Sequence, residues 1–257
     1  MRVAFLGTGA ATSRDRFNSS VALDDRLVLD AGAPLLVNLS RVGIDPDGIR
    51  YVLLSHCHGD HFLGLGTFLI GRVLDRGPSL VLVGPPETEQ RADALCRALW
   101  GDGWRTMGHG GFDLKHVRVE AGVRVELDPY RVEVLEIQHD SGTYDAVQSV
   151  GYVIDDGEVR LGFTGDAAPG PWVDRLLECC DAAIVECTGM DPGPTHLSHR
   201  YVGELVRRHP ETRVIITHLG SERPPFAGVL AAEDLTSIDV QSVLTTPATA
   251  ACWGKPQ

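Results

Sequence analysis

The chain has 257 residues, 43% of them hydrophobic, which is enough for one large domain that buries roughly three quarters of its unfolded surface. A metal ion is therefore not required merely to hold the fold together. The formal net charge of -12 argues against a protein that grips nucleic acid with a broad basic surface, because such binding draws much of its affinity from neutralised phosphates.

The cysteines and the first residues indicate a cellular setting. The six cysteines lack the CxxC spacing of a zinc knuckle and the density of a secreted disulfide scaffold, so we expect free thiols in a reducing cytosol. The segment "MRVAFLGTGA" moves directly into a short strand-like run, and nowhere do about 18 apolar residues follow one another. We expect a cytoplasmic, unexported protein without a membrane span.

Short β-rich runs alternate with amphipathic helices along the chain, and no repeat, linker or low-complexity block interrupts them. The predicted strands are "RVAFLG", "RLVLDAG", "YVLLSH", "SLVLVG", "VRVELDPYRVEVLEIQH", "SVGYVID", "VRLGFTGD", "AAIVEC" and "RVIITH". Apolar spacing predicts helices over 92–99 and 173–180, the second opening at Pro171, and a third after Ser198, a suitable N-cap. The sequence thus predicts one layered α/β domain over residues 1–257, with helices covering sheet faces.

Four of the apolar runs end in residues that could bind a metal ion: "YVLLSHCHGDH", "VEVLEIQHD", "RLGFTGD" and "RVIITHLG". The strand ends would bring seven side chains to one edge, namely His56, His58, Asp60, His61, His139, Asp166 and His218. Imidazole and carboxylate together suit zinc, with iron or manganese as alternatives. The remaining histidines are interpreted as ordinary core or surface residues; they are His109, His116, His199 and His209.

The segment "HCHGDH" resembles the HxHxDH motif of the metallo-β-lactamase superfamily, and three further ligand candidates follow in that family's order. The resemblance covers nearly the whole chain and implies a four-layer αββα sandwich with two divalent metal ions at one edge. It implies that the first ion is bound by His56, His58 and His139. It implies that the second is bound by Asp60, His61 and His218, with Asp166 bridging both. His58 stands where the family's flavin-linked diiron oxidoreductases favour an acidic residue, which counts against redox chemistry.

Other segments resemble ribonuclease Z and the cyclic phosphodiesterases related to it, notably "FLGTGAATSRDRFNSS", "LVLDAG" and "LVLVGPP". The segment "AAIVECTGMDPGPTHLSHR" is similar to the one where this branch carries a glutamate after a strand and a histidine before a helix, here Glu186 and His196. On spacing alone, a strand-end charge and a helix-capping loop residue are the favoured interpretations. The resemblance implies instead that His196, held by Glu186, protonates the leaving oxygen of a phosphodiester. Asp60 is counted with them as a catalytic residue.

The resemblance leaves several functions open. Relatives that process transfer RNA precursors usually carry a long glycine- and proline-rich arm after the third metal-binding histidine, but here Asp166 follows His139 by only 27 positions. Together with the negative net charge, this favours a small phosphodiester, such as a cyclic nucleotide or cyclic sugar phosphate, cleaved by a hydroxide that the metals supply. The alternatives are a ribonuclease Z-like endonuclease, an ester, thioester or lactone hydrolase, and a metal-containing binding or regulatory protein. The resemblance also implies a homodimer.

Three further features have no settled interpretation from sequence. The stretch "WGDGWRTMGHGGF", residues 100–112, has two tryptophans that could stack on a substrate ring or pack inward. Cys57 lies between two ligand histidines and is expected to point into the fold. The segment that follows His218 shows no chemical pattern.

Overall fold

The computed structural model describes residues 1–107, 112–139, 148–191, 193–220 and 229–245, and two stacked sheets lie at its centre. The strands are β1 (Arg2–Gly7), β2 (Ser20–Leu23), β3 (Leu27–Leu29), β4 (Tyr51–Leu53), β5 (Leu80–Gly84), β6 (Leu114–Arg118), β7 (Arg124–Leu127), β8 (Tyr130–Glu136), β9 (Val150–Asp155), β10 (Arg160–Phe163), β11 (Ala182–Glu186), β12 (Arg213–Thr217), β13 (Leu230–Ala231) and β14 (Thr236–Asp239). The helices are α1 (Leu35–Arg41), α2 (Gly59–Phe62), α3 (Gly64–Leu74), α4 (Thr88–Trp100), α5 (Pro171–Glu178), α6 (His199–Arg208) and α7 (Val240–Thr245).

Each sheet has seven strands and is of mixed direction. The first has the order β14-β1-β2-β3-β4-β5-β6, and the second has the order β13-β12-β11-β10-β9-β8-β7. Helices α1, α3 and α4 cover the outer face of the first sheet, and α5 and α6 cover the second. The predicted αββα sandwich is confirmed.

Three apolar clusters separate the four layers. Alternate residues of β1 show how one strand serves two of them: Val3 and Phe5 pack between the sheets, whereas Ala4 and Leu6 pack against helices. A third cluster, which includes Leu176, lies between α5, α6 and the second sheet. Fully burying one such large side chain stabilises the fold by about 1.5–3 kcal/mol, so these clusters hold the layers together.

The predicted helices are confirmed, with local causes that the sequence carries. Pro171 occupies the first turn of α5, and the Ser198 side chain accepts a hydrogen bond from the Tyr201 amide at the start of α6. The run "VRVELDPYRVEVLEIQH", predicted as one strand, is instead the hairpin β7–β8. Pro129 has no amide hydrogen to donate to a strand ladder, and the chain turns there.

Several short strands escaped prediction because their sequences lack a continuous apolar run. Strand β14, "TSID", is half-exposed and is formed by antiparallel pairing of Arg2 through Phe5 with residues near the other end of the described chain. Strands β2, β6 and β13 and helices α1, α2, α3 and α7 were likewise not predicted. Pairing within the sheet, rather than local propensity, makes the short strands regular.

The topology brings the ends of several strands to one edge. Strands β10, β11 and β12 are parallel neighbours, so the residues after their carboxyl ends lie side by side. Strand β4 of the first sheet ends at the same edge. The Val150 amide of β9 donates to the Ser55 carbonyl at 3.0 Å, and the Tyr152 hydroxyl donates to the Leu54 carbonyl at 2.6 Å. This shared edge carries the candidate site.

Two other expectations are answered by the described residues. No helix among them is both long and apolar enough to cross a membrane. The cysteines of the described ranges, Cys57, Cys96, Cys179, Cys180 and Cys187, are free thiols, and Cys252 lies outside those ranges.

Candidate active site

All seven predicted metal ligands meet at this edge, and their ligand atoms form two groups. The first group consists of His56, His58, His139 and Asp166, and the second consists of Asp60, His61, Asp166 and His218. Within each group the ligand atoms lie within 4.8 Å of one another. Asp166 belongs to both groups.

In the first group, three imidazoles face a common centre. His58 Nδ1 lies 3.1 Å from His56 Nε2 and 3.1 Å from His139 Nε2. Asp166 Oδ2 completes the group at 3.9 Å from His56 Nε2 and 3.7 Å from His139 Nε2. Three nitrogens and one oxygen thus surround a single position.

In the second group, Asp166 contributes its other oxygen. Asp166 Oδ1 lies 3.0 Å from His61 Nε2 and 3.3 Å from His218 Nε2. Asp60 Oδ2 lies 3.0 Å from His218 Nε2 and 3.5 Å from His61 Nε2. One carboxylate therefore faces both groups, which is the arrangement of a bridging ligand.

The backbone explains how neighbouring residues reach different groups. β4 ends at Leu53, an extended segment delivers His56 and His58, and the single turn of α2 then redirects Asp60 and His61. His218 follows β12 in the left-handed conformation, with φ of 53°. A Cβ on Gly165, which has φ of 56°, would lie 2.4 Å from Ser55, so only glycine permits Asp166 to approach this closely.

Hydrogen bonds from outside the groups fix two of the histidines through Asp30. His61 Nδ1 donates to Asp30 Oδ2 at 2.6 Å. The Ser55 hydroxyl donates to the same oxygen at 2.8 Å and therefore accepts from His56 Nδ1 at 3.0 Å. Both rings then carry a proton at Nδ1, and each turns Nε2 to the centre, where it would offer a lone pair to a bound metal ion.

The other two buried histidines are fixed in the same way from the opposite side. His139 Nδ1 donates to the Thr195 carbonyl at 3.0 Å, since that oxygen can only accept. His218 Nδ1 lies 2.8 Å from the Thr188 hydroxyl. Four imidazoles are therefore held with Nε2 free for a metal ion.

Burial and charge set the protonation of the groups. Burial and the neighbouring His61 hold the pKa of His56 well below its ordinary value. Burial would also lower the pKa of His61, but Asp166 and Asp30 outweigh it and raise that pKa. Burial would raise the pKa of Asp166, but His218 and His61 outweigh it and hold the carboxyl ionised. An ionised carboxylate is the form that binds a cation.

These residues fit two divalent ions. His61 Nε2 and Asp166 Oδ1 are buried and 3.0 Å apart, yet neither atom has a hydrogen-bond partner within the described ranges. A buried polar atom left unpaired costs about 1–3 kcal/mol, and a shared cation would remove that cost. The first group suits zinc, and the second, with two carboxylates, also admits manganese or iron.

Glu186 and His196 lie beside the ligand groups. The buried Glu186 carboxylate ends β11 and accepts five hydrogen bonds, from His196 Nδ1 at 3.0 Å, from the Thr188 hydroxyl and from the amides of Ala167, Thr188 and Leu197. Burial lowers the pKa of His196, but the hydrogen bond and charge of Glu186 outweigh it and raise the pKa to about 9. The ring, 32% exposed, is 3.8 Å from Asp166 Oδ2.

A cavity of about 240 Å³ opens onto both features. Its lining comprises Ala10, Ala11, Thr12, His58, Asp60, His139, Asp166, Thr188, Thr195, His196 and His218. No lysine or arginine belongs to this lining in the described part of the chain. The cavity is near the lower end of the size range of ligand pockets, so it accepts a small molecule or the reacting end of a larger one.

Other predicted features lie elsewhere. Trp104 is 1% exposed and its indole donates to Asp93, so of the two open alternatives for this residue the structure shows inward packing. Trp100 is 36% exposed and donates to the Gly66 carbonyl, while residues 108–111 lie outside the described ranges. Cys57 packs into the cluster under the first sheet, as predicted. His116, His199 and His209 belong to neither ligand group, and His109 lies outside the described ranges.

Sequence reasoning missed the residues that hold the ligands. Asp30 lies within the quoted run "LVLDAG", and Thr188 follows Glu186 by two positions, so both lie beside segments that the sequence analysis singled out. Ser55 directly precedes the first ligand histidine. Thr195 acts through its carbonyl oxygen, which leaves no side-chain signal in a sequence.

Comparison with known proteins adds to this geometry. Residues 25–219 match the family described as "Beta-lactamase superfamily domain". Ribonuclease Z of Pyrobaculum arsenaticum is 27% identical over 253 residues, which cover 86% of this chain and 87% of that protein. Two solved structures share the fold: the short form of human tRNase Z (TM-score 0.72, 19% identity, covering 93% of this chain and 99% of that one) and a diphosphatase of the PhnP family (TM-score 0.71, 18% identity, 93% and 97%).

Proposed function

We propose that this chain, a metal-dependent hydrolase that belongs to the ribonuclease Z and phosphodiesterase branch of the metallo-β-lactamase superfamily, cleaves a small phosphodiester. One observation carries the proposal: His196 lines the cavity beside the ligand groups, with Nδ1 3.0 Å from Glu186. A phosphodiester has a poor alkoxide leaving group, which needs a proton as it departs. An activated ester has a better leaving group, so its hydrolysis depends less on a residue that donates a proton.

We assign the seven ligands to two ions, with His56, His58 and His139 on the first, Asp60, His61 and His218 on the second, and Asp166 on both. When bound, such ions neutralise phosphoryl oxygens and lower the pKa of water so that it can attack at neutral pH. The buried rings keep Nε2 free because Asp30, Ser55, Thr195 and Thr188 engage the opposite nitrogens. We assign Asp60 a further part in orienting the attacking water, since it also lines the cavity.

The proton follows a short route in this proposal. Glu186 holds His196 at Nδ1, and we assign proton donation to the other ring nitrogen, Nε2. The attacking water loses a proton to solvent and its oxygen joins phosphorus, while the bond between phosphorus and the leaving oxygen breaks and Nε2 gives its proton to that oxygen. Glu186 stabilises the charged form of His196 before transfer, and the exposed side of the ring regains a proton from solvent.

A ribonuclease Z-like endonuclease is the second candidate, favoured by the relatives that carry that name. Three features support the small substrate over RNA. The cavity lining described above has no lysine or arginine, the net charge is -12, and the 27-position span between His139 and Asp166 already contains β9 and β10. RNA binding draws on positively charged side chains along the phosphate backbone. Ester, thioester and lactone hydrolysis remain alternatives for the same centre.

A turnover screen tests the proposal. The metal-loaded protein is assayed against bis(p-nitrophenyl) phosphate, a p-nitrophenyl ester, a lactone and a transfer RNA precursor. We expect turnover of the diester above all others, and loss of turnover after chelation. The Asp166→Ala variant serves as the metal-site control and should hold fewer than two ions per chain by elemental analysis. Preference for the RNA precursor would select the endonuclease, and preference for the ester or lactone would select those activities.

A further inference from the structure

One hydroxyl group stands between the metal ligands and the acid pair. Thr188 Oγ1 lies 2.7 Å from Glu186 Oε2 and 2.8 Å from His218 Nδ1. It is also 3.4 Å from His196 Nδ1 and 3.2 Å from the His218 carbonyl oxygen. No other hydroxyl in the described ranges contacts both a ligand of the second group and Glu186.

The number of protons available determines which hydrogen bond the Thr188 hydroxyl donates and which it accepts. It has a single proton, and the nearest acceptor is the Glu186 carboxylate, which makes the strongest hydrogen bond available. The oxygen is then the acceptor for His218 Nδ1. His218 is thereby protonated at Nδ1, and Nε2 lies beside Asp60 and Asp166, where it would offer its lone pair to a bound metal ion.

The main chain holds Thr188 in this place. Its amide lies 3.2 Å from both Glu186 Oε2 and the Leu197 carbonyl. On the other side, a Cβ on Gly220 would lie 2.8 Å from the Thr188 carbonyl oxygen, so the absence of a side chain there admits Thr188. The hydroxyl is therefore placed by the backbone of three segments and does not depend on a flexible side chain.

We propose that Thr188 is a positioning residue that orients His218 for the second metal ion and Glu186 for His196. The inference rests on the proposed function, because the second of these roles serves the proton donor. The role toward His218 and the role toward Glu186 predict different effects. Removing the hydroxyl should lower the affinity for the second metal ion. It should also reduce the orientation of Glu186 and His196, even when both ions are bound.

Three variants isolate the hydroxyl. Thr188→Val replaces it with a methyl group of similar size, and Thr188→Ser retains it. Thr217→Val is the matched control, since the Thr217 hydroxyl is buried next to His218 but has no hydrogen-bond partner among the described residues. Zinc affinity is measured by competition with a chelator, and cleavage is then measured at saturating zinc for a nitrophenyl diester and an alkyl diester.

We expect Thr188→Val to bind one of its two zinc ions about 10- to 100-fold more weakly, which is typical when the partner of a ligand histidine is lost. At saturating zinc, its nitrophenyl diesterase rate should recover while the alkyl diesterase rate stays low. Thr188→Ser and Thr217→Val should match the wild type in both measurements. Wild-type zinc affinity in Thr188→Val would overturn the proposal, as would an equal loss in Thr217→Val.

The affinity measurement separates this inference from the proposed function. A wild-type protein that binds two zinc ions but cleaves no diester would overturn the proposed function and the role of Thr188 toward Glu186. The affinity comparison would still decide its role toward His218. A wild-type protein that binds no zinc would overturn both proposals.

Discussion

At the residue scale, Asp30 and Glu186 have matching parts on opposite sides of the ligand groups. Asp30 contacts His61 directly and His56 through the Ser55 hydroxyl. Glu186 contacts His196 directly and is linked to His218 by the Thr188 hydroxyl. Both carboxylates are fully buried and surrounded by donors. Each therefore fixes two imidazoles without occupying a ligand position.

The Asp30→Asn variant tests the first of these carboxylates. Asparagine keeps the size of the side chain and tolerates the positive φ of 55°, but it removes the charge that orients His61. We expect metal affinity to fall by about 10- to 100-fold, measured by chelator competition. The control is Asp128→Asn, because that carboxylate is 94% exposed. Unchanged affinity in Asp30→Asn would show that packing alone orients the ring.

The His196→Ala variant tests the proton donor. Cleavage of a diester with an alkoxide leaving group should slow by roughly 10²- to 10⁴-fold, as expected for loss of a general acid, with metal content unchanged. A nitrophenolate leaves without a proton, so the nitrophenyl diester should lose much less activity. Equal losses on the two substrates would refute proton donation.

Glu186→Gln provides the companion measurement for His196. The amide can still accept a hydrogen bond from the ring, but it no longer favours the charged imidazole. We expect the same contrast between leaving groups with a smaller amplitude. A larger contrast than that of His196→Ala would assign the proton to another group.

At the element scale, one wall of the cavity is a turn that depends on a distant carboxylate. The turn, residues 8–17, carries Ala10, Ala11 and Thr12. Asp234 accepts hydrogen bonds from the Thr8 amide at 2.8 Å and the Phe17 amide at 2.7 Å, so it holds both ends of the turn. The segment after His218, which showed no chemical pattern in the sequence, thus shapes the substrate side of the site.

The Asp234→Ala variant should loosen that wall and leave the ligand groups intact. We expect KM for a small diester to rise about tenfold, equivalent to roughly 1.4 kcal/mol of binding, with a smaller change in kcat. Elemental analysis should show unchanged metal content. Glu233→Gln is the control, because this neighbouring carboxylate is 48% exposed and pairs with Arg16 at 3.5 Å, whereas Asp234 holds the Thr8 and Phe17 amides. A loss of metal without a change in KM would contradict this role.

At the scale of the whole molecule, the fold and the metal centre are stabilised separately. The three apolar clusters lie between layers, whereas the ligand groups occupy one edge. Removing metal ions should therefore leave the secondary structure intact. It should still reduce stability, because the buried ligand atoms lose their partner.

Chelation followed by thermal unfolding measures that separation. An ion present at about 100 times its Kd stabilises the native state by about 2.7 kcal/mol. For a chain of this size, we expect Tm to fall by about 5–10 °C on removal of one such ion. The far-UV circular dichroism should not change, and zinc should restore Tm. Loss of the far-UV signal would show that the ions hold the fold itself.

Much of the fold and the set of ligands could be predicted from sequence because both have local signatures. Apolar runs marked most strands of the sandwich, and a proline and a serine marked the starts of α5 and α6. The hairpin at Pro129 and the short strand β14 could not be predicted in the same way. The first was hidden by flanking apolar residues, and the second exists only because it pairs with β1.

The sequence by itself determined which side chains could bind metal, since residue type and position at a strand end are properties of a short segment. Only the tertiary structure decided how those side chains are oriented. Asp30 acts on His61 across 31 positions, Thr188 on His218 across 30, and Asp234 on Thr8 across 226. A hydrogen bond depends on distance in space, and no periodicity along the chain encodes partners that folding alone brings together.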